Sequence, residues 1–241
     1  MKFYRFKNEA EDNVDLYIYG TITSDKNDSW FPCESDVDLN DFKETLDSIN
    51  FGATLNMYIN SPGGSVFAAS TMVSMLRRAK LTKNLSIKAY VDGLAASAAS
   101  FLIMVADEII LYSNSMLMVH KPLSTVWGGN ANDFQKEIDV LNQIEDNVMI
   151  PLYLEKAKCD ENKIKELINV ESWLSAKEVD NFFNVTLLEE VKQCAASINK
   201  ELFKHYKNVP KALSEATELS NQQNLTVDYS YFDKKMEGLR I

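Results

Sequence analysis

The sequence is poor in the residues that build disulfide frameworks and metal sites, with three cysteines and two histidines among 241 residues. The cysteines, at positions 33, 159 and 194, are widely spaced and odd in number, which fits reduced thiols better than disulfides or a zinc site. Long hydrophobic runs are also missing. The longest, residues 95–106, stops at Asp107 and falls short of the roughly 20 residues that a bilayer crossing needs. An integral membrane protein is therefore not expected.

Basic side chains are in the minority, with 25 Lys and Arg against 35 Asp and Glu and a formal net charge of −10. This balance disfavours nucleic acid as a partner, because binding to a phosphate backbone depends mainly on lysine and arginine. The amino terminus, which begins MKFYRF, lacks the apolar run of roughly 7 to 15 residues that secretory signals contain. Its absence predicts a cytoplasmic location. The hydrophobic content of 46% suffices for a sizeable core. We expect one domain over residues 1–190 and a partly helical carboxyl-terminal extension over residues 191–241.

Alternating strands and helices in the first half of the chain predict a layered α/β fold with a largely parallel sheet. Period-two alternation marks the strands, and apolar residues at three- and four-residue steps mark the helices. The predicted strands are residues 15–22, 54–60, 85–91 and 108–111. The predicted helices are residues 39–49, a helix that begins at Ser65, and residues 96–106, which follow a predicted turn at Asp92-Gly93.

The second half is dominated by a long amphipathic helix, predicted over residues 130–158, in which Pro151 should kink or cut the helix near its carboxyl end. The remaining predicted elements are a strand at 116–119, a helix at 160–168, an extended stretch at 171–174, a helix from Ser175 and a strand at 184–188.

Two glycine turns, each at the carboxyl end of a strand and each opening a helix, are the candidate sites of chemistry. The first, residues 60–64 (NSPGG), lets the backbone approach a ligand closely and can point amides at a negative oxygen. A plain tight turn stays an open alternative. Neither of the glycine patterns that cradle phosphates, GxxxxGK[ST] and GxGxxG, is present, so phosphate binding is not favoured.

The second turn carries Ser97, which is flanked by alanines at the head of an apolar helix. As a nucleophile, Ser97 needs a general base, an orienting group and amide donors for the oxyanion. His120 is one of the two histidines and ends the apolar strand 116–119, where strand ends of α/β folds build sites. A serine chosen for close packing and a structural histidine remain alternatives from the residues alone.

Four ordered motifs, NSPGG at 60–64, GLAAS at 93–97, MVHKP at 118–122 and WLSAKE at 173–178, resemble those of the Clp protease proteolytic subunit (ClpP) family. The resemblance covers about residues 14–190 and is closest to the ClpP-like head maturation proteases of phages and prophages. It implies a crotonase-like fold of stacked ββα units. The long helix from Asn130 resembles the protruding handle through which rings of that family interlock.

The resemblance also implies a serine endopeptidase that needs no cofactor or metal. Ser97 resembles the nucleophile and His120 the general base, and the backbone amides of Gly64 and Ala98 resemble the oxyanion hole. The third member of the triad departs from the pattern, because Glu171 stands where cellular family members carry aspartate. Its extra methylene makes the carboxylate harder to hold still. Asp180, in the following helix, is a weaker candidate for the same role.

The implied partners are a polypeptide substrate, such as a phage capsid or scaffold protein, and further copies of the chain in a heptameric or double heptameric ring. The cellular family also suggests an ATP-driven unfoldase, but the chain has no nucleotide motif. Two other classes stay open: a crotonase-superfamily acyl-CoA hydratase or isomerase, and a ring-forming scaffold whose catalytic apparatus has decayed. A Ser-Lys dyad is disfavoured, because Lys121 follows His120 on an extended segment and should point the opposite way.

Overall fold

A computed structural model describes residues 6–7, 13–25, 37–190 and 205–210. Within these residues eight strands form one sheet, with order β1-β2-β3-β4-β5-β8 and with β6 paired to β4 and β7. The strands are β1 Phe6–Lys7, β2 Asn13–Ile18, β3 Thr54–Ser61, β4 Ser86–Ala96, β5 Glu108–Tyr112, β6 Met116–Val119, β7 Ser172–Ser175 and β8 Thr186–Leu188. The β1/β2 and β6/β7 pairs are antiparallel and the other pairs are parallel. The predicted α/β class with a largely parallel sheet is confirmed.

The helices follow the strands along the chain and cover the sheet. They are α1 Leu39–Asp47, α2 Val66–Lys83, α3 Ala98–Leu102, α4 Ala131–Ile144, α5 Ile150–Leu154, α6 Glu161–Asn169 and α7 Ala176–Phe182. The core lies between the sheet and these helices, where β2 and β3 bury Leu16, Ile18, Leu55 and Met57 against Phe42 of α1 and Leu76 of α2. None of the helices in the described residues combines the length and apolar content that crossing a membrane requires.

Strand β4 is longer than the sequence pattern indicated, and this extension positions the candidate site. The predicted turn at Asp92-Gly93 is wrong, because β4 continues to Ala96. Its partner changes along the way: residues Lys88–Val91 pair with β5, and Leu94–Ala96 pair with β6. A continuous strand is stable here because the backbone groups of its second half form hydrogen bonds with β6. The predicted helix 96–106 is accordingly shorter, beginning at Ala98 and continuing after Leu102 as a 3-10 turn.

The long helix is confirmed over most of its predicted length, although it ends at Leu154 rather than at residue 158. It begins with a capping box, in which the Asn130 side chain accepts from the Asp133 amide and Asp133 accepts from the Asn130 amide. A π-helical turn, Glu145–Met149, joins α4 to α5 directly before Pro151. Such a widened turn suits the position, because proline brings no N–H for a regular helical hydrogen bond.

Helix α4 buries only its last residue, Ile144, against the rest of the described chain. Phe134 is 49% exposed and Ile138 is 50% exposed, although both lie on the apolar face that the sequence pattern defines. Isolated exposed apolar side chains are common, but two on one face of a projecting helix indicate a surface that a further protein surface could cover.

Candidate active site

Ser97 lies in a sharp turn between β4 and α3. Its φ of 52° and ψ of −123° are unusual for a residue with a side chain and indicate local backbone strain. The turn is held from two sides, since the Ser97 amide donates to the Met118 carbonyl at 2.9 Å and the Ser97 carbonyl accepts from the Ser100 amide at 2.9 Å. The Ser100 hydroxyl also donates to the Ser97 carbonyl at 2.6 Å and lies 2.6 Å from the hydroxyl of buried Tyr153. The hydroxyl of Ser97 is thus presented at the end of β4 by a firmly bonded turn.

His120 directly follows β6, and the parallel register of β4 and β6 brings it to Ser97. Ala96 pairs with Met118, so both chains leave the sheet at the same edge. The Nε2 atom of His120 lies 2.7 Å from the Oγ atom of Ser97, which is hydrogen-bond distance for a base and a nucleophile. Burial lowers the pKa of His120 from 6.5 to about 4, and the negative charge of Glu171 partly opposes this shift. The imidazole is therefore neutral near pH 7, as a general base must be.

The glycine motif packs directly against the serine turn. A Cβ atom on Gly63 would lie 2.6 Å from the Ala96 carbonyl oxygen, 2.7 Å from the Ser97 Cβ atom and 2.9 Å from the Ala98 nitrogen. Gly63 also has a φ of +95°, so both its space and its conformation require glycine. The two turns that the sequence marked out are in van der Waals contact at this point.

The amides of Gly64 and Ala98 lie in these two adjoining turns. Gly64 forms an isolated parallel β-bridge with Ile22. The two hydrogen bonds of this bridge run from the Ile22 amide to the Gly63 carbonyl and from the Ser65 amide to the Ile22 carbonyl. Within the described part of the chain, neither the Gly64 amide nor the Ala98 amide donates a backbone hydrogen bond. Amide donors in this position, beside a serine hydroxyl, are what an oxyanion hole requires.

Glu171 lies near His120 but does not contact it. Its charge acts on the His120 pKa, yet no hydrogen bond joins the two side chains among the described residues. The Glu171 Oε1 atom instead accepts from the Trp173 Nε1 atom at 3.3 Å and from the amides of Lys207 and Asn208 at 2.7 Å each. Glu171 has a φ of 52°, so the backbone is strained here too.

The two other candidates from the sequence are engaged elsewhere. Asp180 accepts a hydrogen bond from the Lys158 Nζ atom at 2.7 Å. Lys121 forms an ion pair with the buried carboxylate of Glu145 at 2.6 Å, at the base of the long helix. Neither contact involves Ser97 or His120.

Tyr206 lies against the candidate catalytic pair, and the sequence reasoning missed this neighbour. Its hydroxyl donates to the Pro62 carbonyl at 2.6 Å, and its ring meets the His120 ring edge-on with the centroids 5.1 Å apart. Burial raises the pKa of Tyr206 to about 12, and its hydrogen bond with Ser97 opposes this shift. Tyr206 falls in the region interpreted as an appendage, and no motif or spacing in the sequence marks it.

A cleft of about 390 Å³ opens beside the serine and histidine. It runs from Ser97 and His120 past Phe67 and Leu123 toward the base of α4 at Ile144. Its walls are largely apolar and include Gly64 of the glycine motif, a combination that is typical of ligand-binding clefts.

A family model of the Clp protease family matches residues 44–183, a range that covers more than half of the chain and includes Ser97, His120 and Glu171. The "ATP-dependent Clp protease proteolytic subunit 2" of Treponema denticola is 28% identical over 135 residues, which are 55% of this chain and 64% of that protein. The protein of the same name from Prochlorococcus marinus is 28% identical over 139 residues, 57% of this chain and 66% of its own. In Pinus contorta, the "ATP-dependent Clp protease proteolytic subunit" is 26% identical over 135 residues, 55% of this chain and 63% of its own.

The chain thus spans a little under two thirds of the length of the relatives that it matches. The matched region coincides with the part of the sheet that carries the serine turn, the glycine motif and the histidine. The resemblance that the four motifs indicated is confirmed: the chain belongs to the Clp protease family.

Proposed function

We propose that this chain is a serine endopeptidase in which Ser97 attacks a peptide carbonyl and His120 accepts the serine proton. The observation that carries the proposal is the 2.7 Å contact between the Ser97 Oγ atom and the Nε2 atom of a neutral histidine. This arrangement activates a hydroxyl that is otherwise a weak nucleophile. A hydratase or isomerase acting on acyl-CoA would leave the pair without a use.

The reaction proceeds through the usual two stages. As Ser97 adds to the carbonyl carbon, its proton moves to the His120 Nε2 atom, and the amides of Gly64 and Ala98 stabilise the oxyanion. His120 then gives the proton to the leaving amine, and the acyl group remains on Ser97. Water repeats the sequence with His120 again as base, which releases the second product and restores the serine.

Glu171 is the proposed third member of the triad. The negative charge of Glu171 interacts electrostatically with His120: it raises the pKa of the imidazole and so opposes the larger, lowering effect of burial. A carboxylate at this point favours the imidazolium that forms during acylation. To bond the ring directly, the side chain must move toward it, and this movement pulls the Oε1 atom away from the Lys207 and Asn208 amides that now donate to it.

The proposed substrate is a polypeptide, and by resemblance of the motifs we propose a phage capsid or scaffold protein cleaved during head maturation in the cytoplasm. We further propose a ring of identical subunits, heptameric or double heptameric, that interlocks through α4. The exposed Phe134 and Ile138 side chains support this assembly, because a second copy would cover them.

A fluorophosphonate probe tests the proposed chemistry, because an activated serine attacks its phosphorus atom, displaces fluoride and becomes phosphonylated. We expect labelling of Ser97 in the unaltered chain and in Tyr206→Ala, with the modified peptide identified by mass spectrometry. Ser97→Ala and His120→Gln should lose labelling. Ser74→Ala should keep it, since Ser74 is exposed on α2 and its hydroxyl donates to the Ser70 carbonyl of the same helix.

Cleavage of an unfolded protein such as casein provides the second measurement. Replacing Ser97 should reduce turnover by about 10⁴-fold or more, leaving the acceleration due to binding and the oxyanion hole. An absence of both labelling and cleavage in the unaltered chain and in Tyr206→Ala, with rings of normal size, would refute the peptidase and favour the decayed scaffold.

A further inference from the structure

The carboxyl-terminal segment of residues 205–210 lies across the candidate active site. It is separated in sequence from the nearest described residue, Glu190, yet it reaches the glycine motif, the serine turn and Glu171 at once. His205 and Tyr206 form part of the wall of the cleft that holds Ser97 and His120. The segment is therefore part of the site rather than a free extension.

Tyr206 is the central anchor of the segment. Its hydroxyl donates to the Pro62 carbonyl at 2.6 Å, and it lines the cleft together with Ser97. Its ring lies edge-on to His120 and to Trp173, with centroid distances of 5.1 Å and 5.9 Å. The tyrosine occupies space directly beside the nucleophile, where the carbonyl of a substrate must be placed for attack.

The main chain after Tyr206 is held as well. The amides of Lys207 and Asn208 both donate to the Glu171 Oε1 atom at 2.7 Å, and the Asn208 side-chain amide donates to the Val170 carbonyl at 2.8 Å. Hydrogen bonds to a charged acceptor are stronger than those between neutral groups. Val209 then packs on a small apolar cluster of Leu94, Ala96 and Met118 on the sheet.

We infer that the 205–210 segment is a tethered ligand of the active-site cleft that competes with peptide substrates. The inference rests on the proposed peptidase function. The contacts define the class of ligand: a short peptide with a tyrosine beside Ser97, followed by two residues whose backbone amides donate to Glu171. The bound segment covers the nucleophile and occupies Glu171. Substrate binding therefore requires the segment to leave, which frees the Glu171 carboxylate for the imidazole.

A tethered competitor affects substrate binding more than the chemical step. If the bound arrangement is favoured about tenfold, the apparent substrate affinity falls about tenfold. In the full chain, Tyr206→Ala should therefore lower KM for a short fluorogenic peptide by about tenfold or more and leave kcat within about twofold. Equal KM values in the two proteins, with Ser97 labelled by fluorophosphonate in both, would overturn the inference and leave the peptidase standing.

Position 207 supplies a matched pair of variants. Lys207→Pro removes the backbone N–H that bonds Glu171, whereas Lys207→Ala keeps it and alters only an exposed side chain. We expect Lys207→Pro to lower KM in the same direction as Tyr206→Ala, and Lys207→Ala to match the unaltered chain. Identical behaviour of the two variants would show that the bond to Glu171 does not hold the segment.

A binding measurement tests the inference without any activity. A labelled synthetic peptide of residues 201–212 should bind the full-length Tyr206→Ala chain, and the same peptide with alanine at position 206 should bind at least tenfold more weakly. Hydrogen exchange should show the Lys207 and Asn208 amides protected in the unaltered chain and unprotected in Tyr206→Ala. A peptide that fails to bind, together with unprotected amides in the unaltered chain, would refute the occupancy whether or not the protein cleaves peptides.

Discussion

Ser97 and His120 follow the ends of two adjacent parallel strands, whereas Glu171 stands on a connection between α6 and β7. The first pair is positioned by main-chain register, and the side chains meet at 2.7 Å. The carboxylate is positioned by side-chain and backbone donors, two of which belong to the 205–210 segment. The proposed nucleophile and base are therefore positioned by the sheet, while the hydrogen bonds of the proposed acid depend on the segment that lies in the cleft.

The largest effect is expected where the glycine motif packs against the serine turn. Gly63→Ala places a methyl group within 3 Å of the serine turn, so either that turn or the glycine motif must shift. The oxyanion donors on both sides would separate, and we expect kcat/KM to fall by about 10²- to 10³-fold, the loss typical of one missing donor.

Gly52→Ala is the matched control for this change. Gly52 also has a positive φ, of +77°, but a Cβ atom there meets nothing within 4 Å. Both variants therefore carry the backbone strain, and only Gly63→Ala carries the collision. Assays of kcat/KM and of thermal unfolding should show Gly52→Ala near the unaltered chain in activity; similar activity losses in the two would mean that the close packing at Gly63 is unimportant.

The sheet-bound part of the site was predictable from the sequence because its positions follow from strand ends. Ser97, His120 and the glycine motif each follow an apolar run that could only be a buried strand or helix. Parallel strands bring their carboxyl ends to one edge of the sheet, so residues that follow those ends are expected to lie close together. The error at Asp92-Gly93 arose because a strand with two successive partners has no local signal: the pairing of Leu94–Ala96 with β6 is a long-range contact.

The part of the site made by the 205–210 segment was not predictable in the same way. The Tyr206 hydroxyl bonds the carbonyl of Pro62, 144 positions away in the sequence, and the Tyr206 ring contacts the His120 ring. No periodicity or turn chemistry encodes such a contact, and the surrounding composition resembles a solvated extension. The identity of Glu171 as the candidate acid came from the family motif alone, and its present hydrogen bonds to backbone amides had no signal in the motif. Most of the predicted extension 191–241 lies outside the described residues.

The Glu171 part of the comparison is tested by substitution of that residue. On the Tyr206→Ala background, where the segment no longer competes, Glu171→Gln should lower kcat by about 10- to 10²-fold. An amide cannot stabilise the imidazolium as a carboxylate does. Glu171→Asp keeps the charge with one methylene less, and it should retain more activity than Glu171→Gln. Full activity in Glu171→Gln would remove this residue from the triad.

A smaller effect is expected from the bonds behind the serine turn. Tyr153→Phe removes the hydroxyl that bonds Ser100 but keeps the buried ring. The Ser100 hydroxyl still reaches the Ser97 carbonyl, so we expect a loss of about 1 kcal/mol in the free energy of unfolding and a fall in kcat of less than about tenfold. Tyr58→Phe, in the tyrosine stack on β3, serves as the control and should leave kcat unchanged. Equal kcat values in the two variants would show that the Ser100–Tyr153 contact does not support the nucleophile.

The smallest effect is a pH dependence of stability that originates at His120. Its folded-state pKa of about 4 lies below its ordinary 6.5, so the unfolded chain takes up the proton first as pH falls. The contribution of this group is present above pH 6.5 and is lost progressively as pH falls through 4. Between pH 7 and pH 5.5 the loss should be about 1 kcal/mol, measured as the difference in urea unfolding between the unaltered chain and His120→Gln.

The same measurement distinguishes the two parts of the site. Burial is the main cause of the low His120 pKa, and the ring of Tyr206 contributes to that burial by lying against the imidazole. Removing Tyr206 exposes the imidazole and lets Glu171 approach it, and both changes raise the pKa of His120 toward its ordinary value. Tyr206→Ala should therefore show a weaker loss of stability between pH 7 and pH 5.5 than the unaltered chain. An equal loss in the two proteins would mean that the sheet alone sets the environment of the base, without the 205–210 segment.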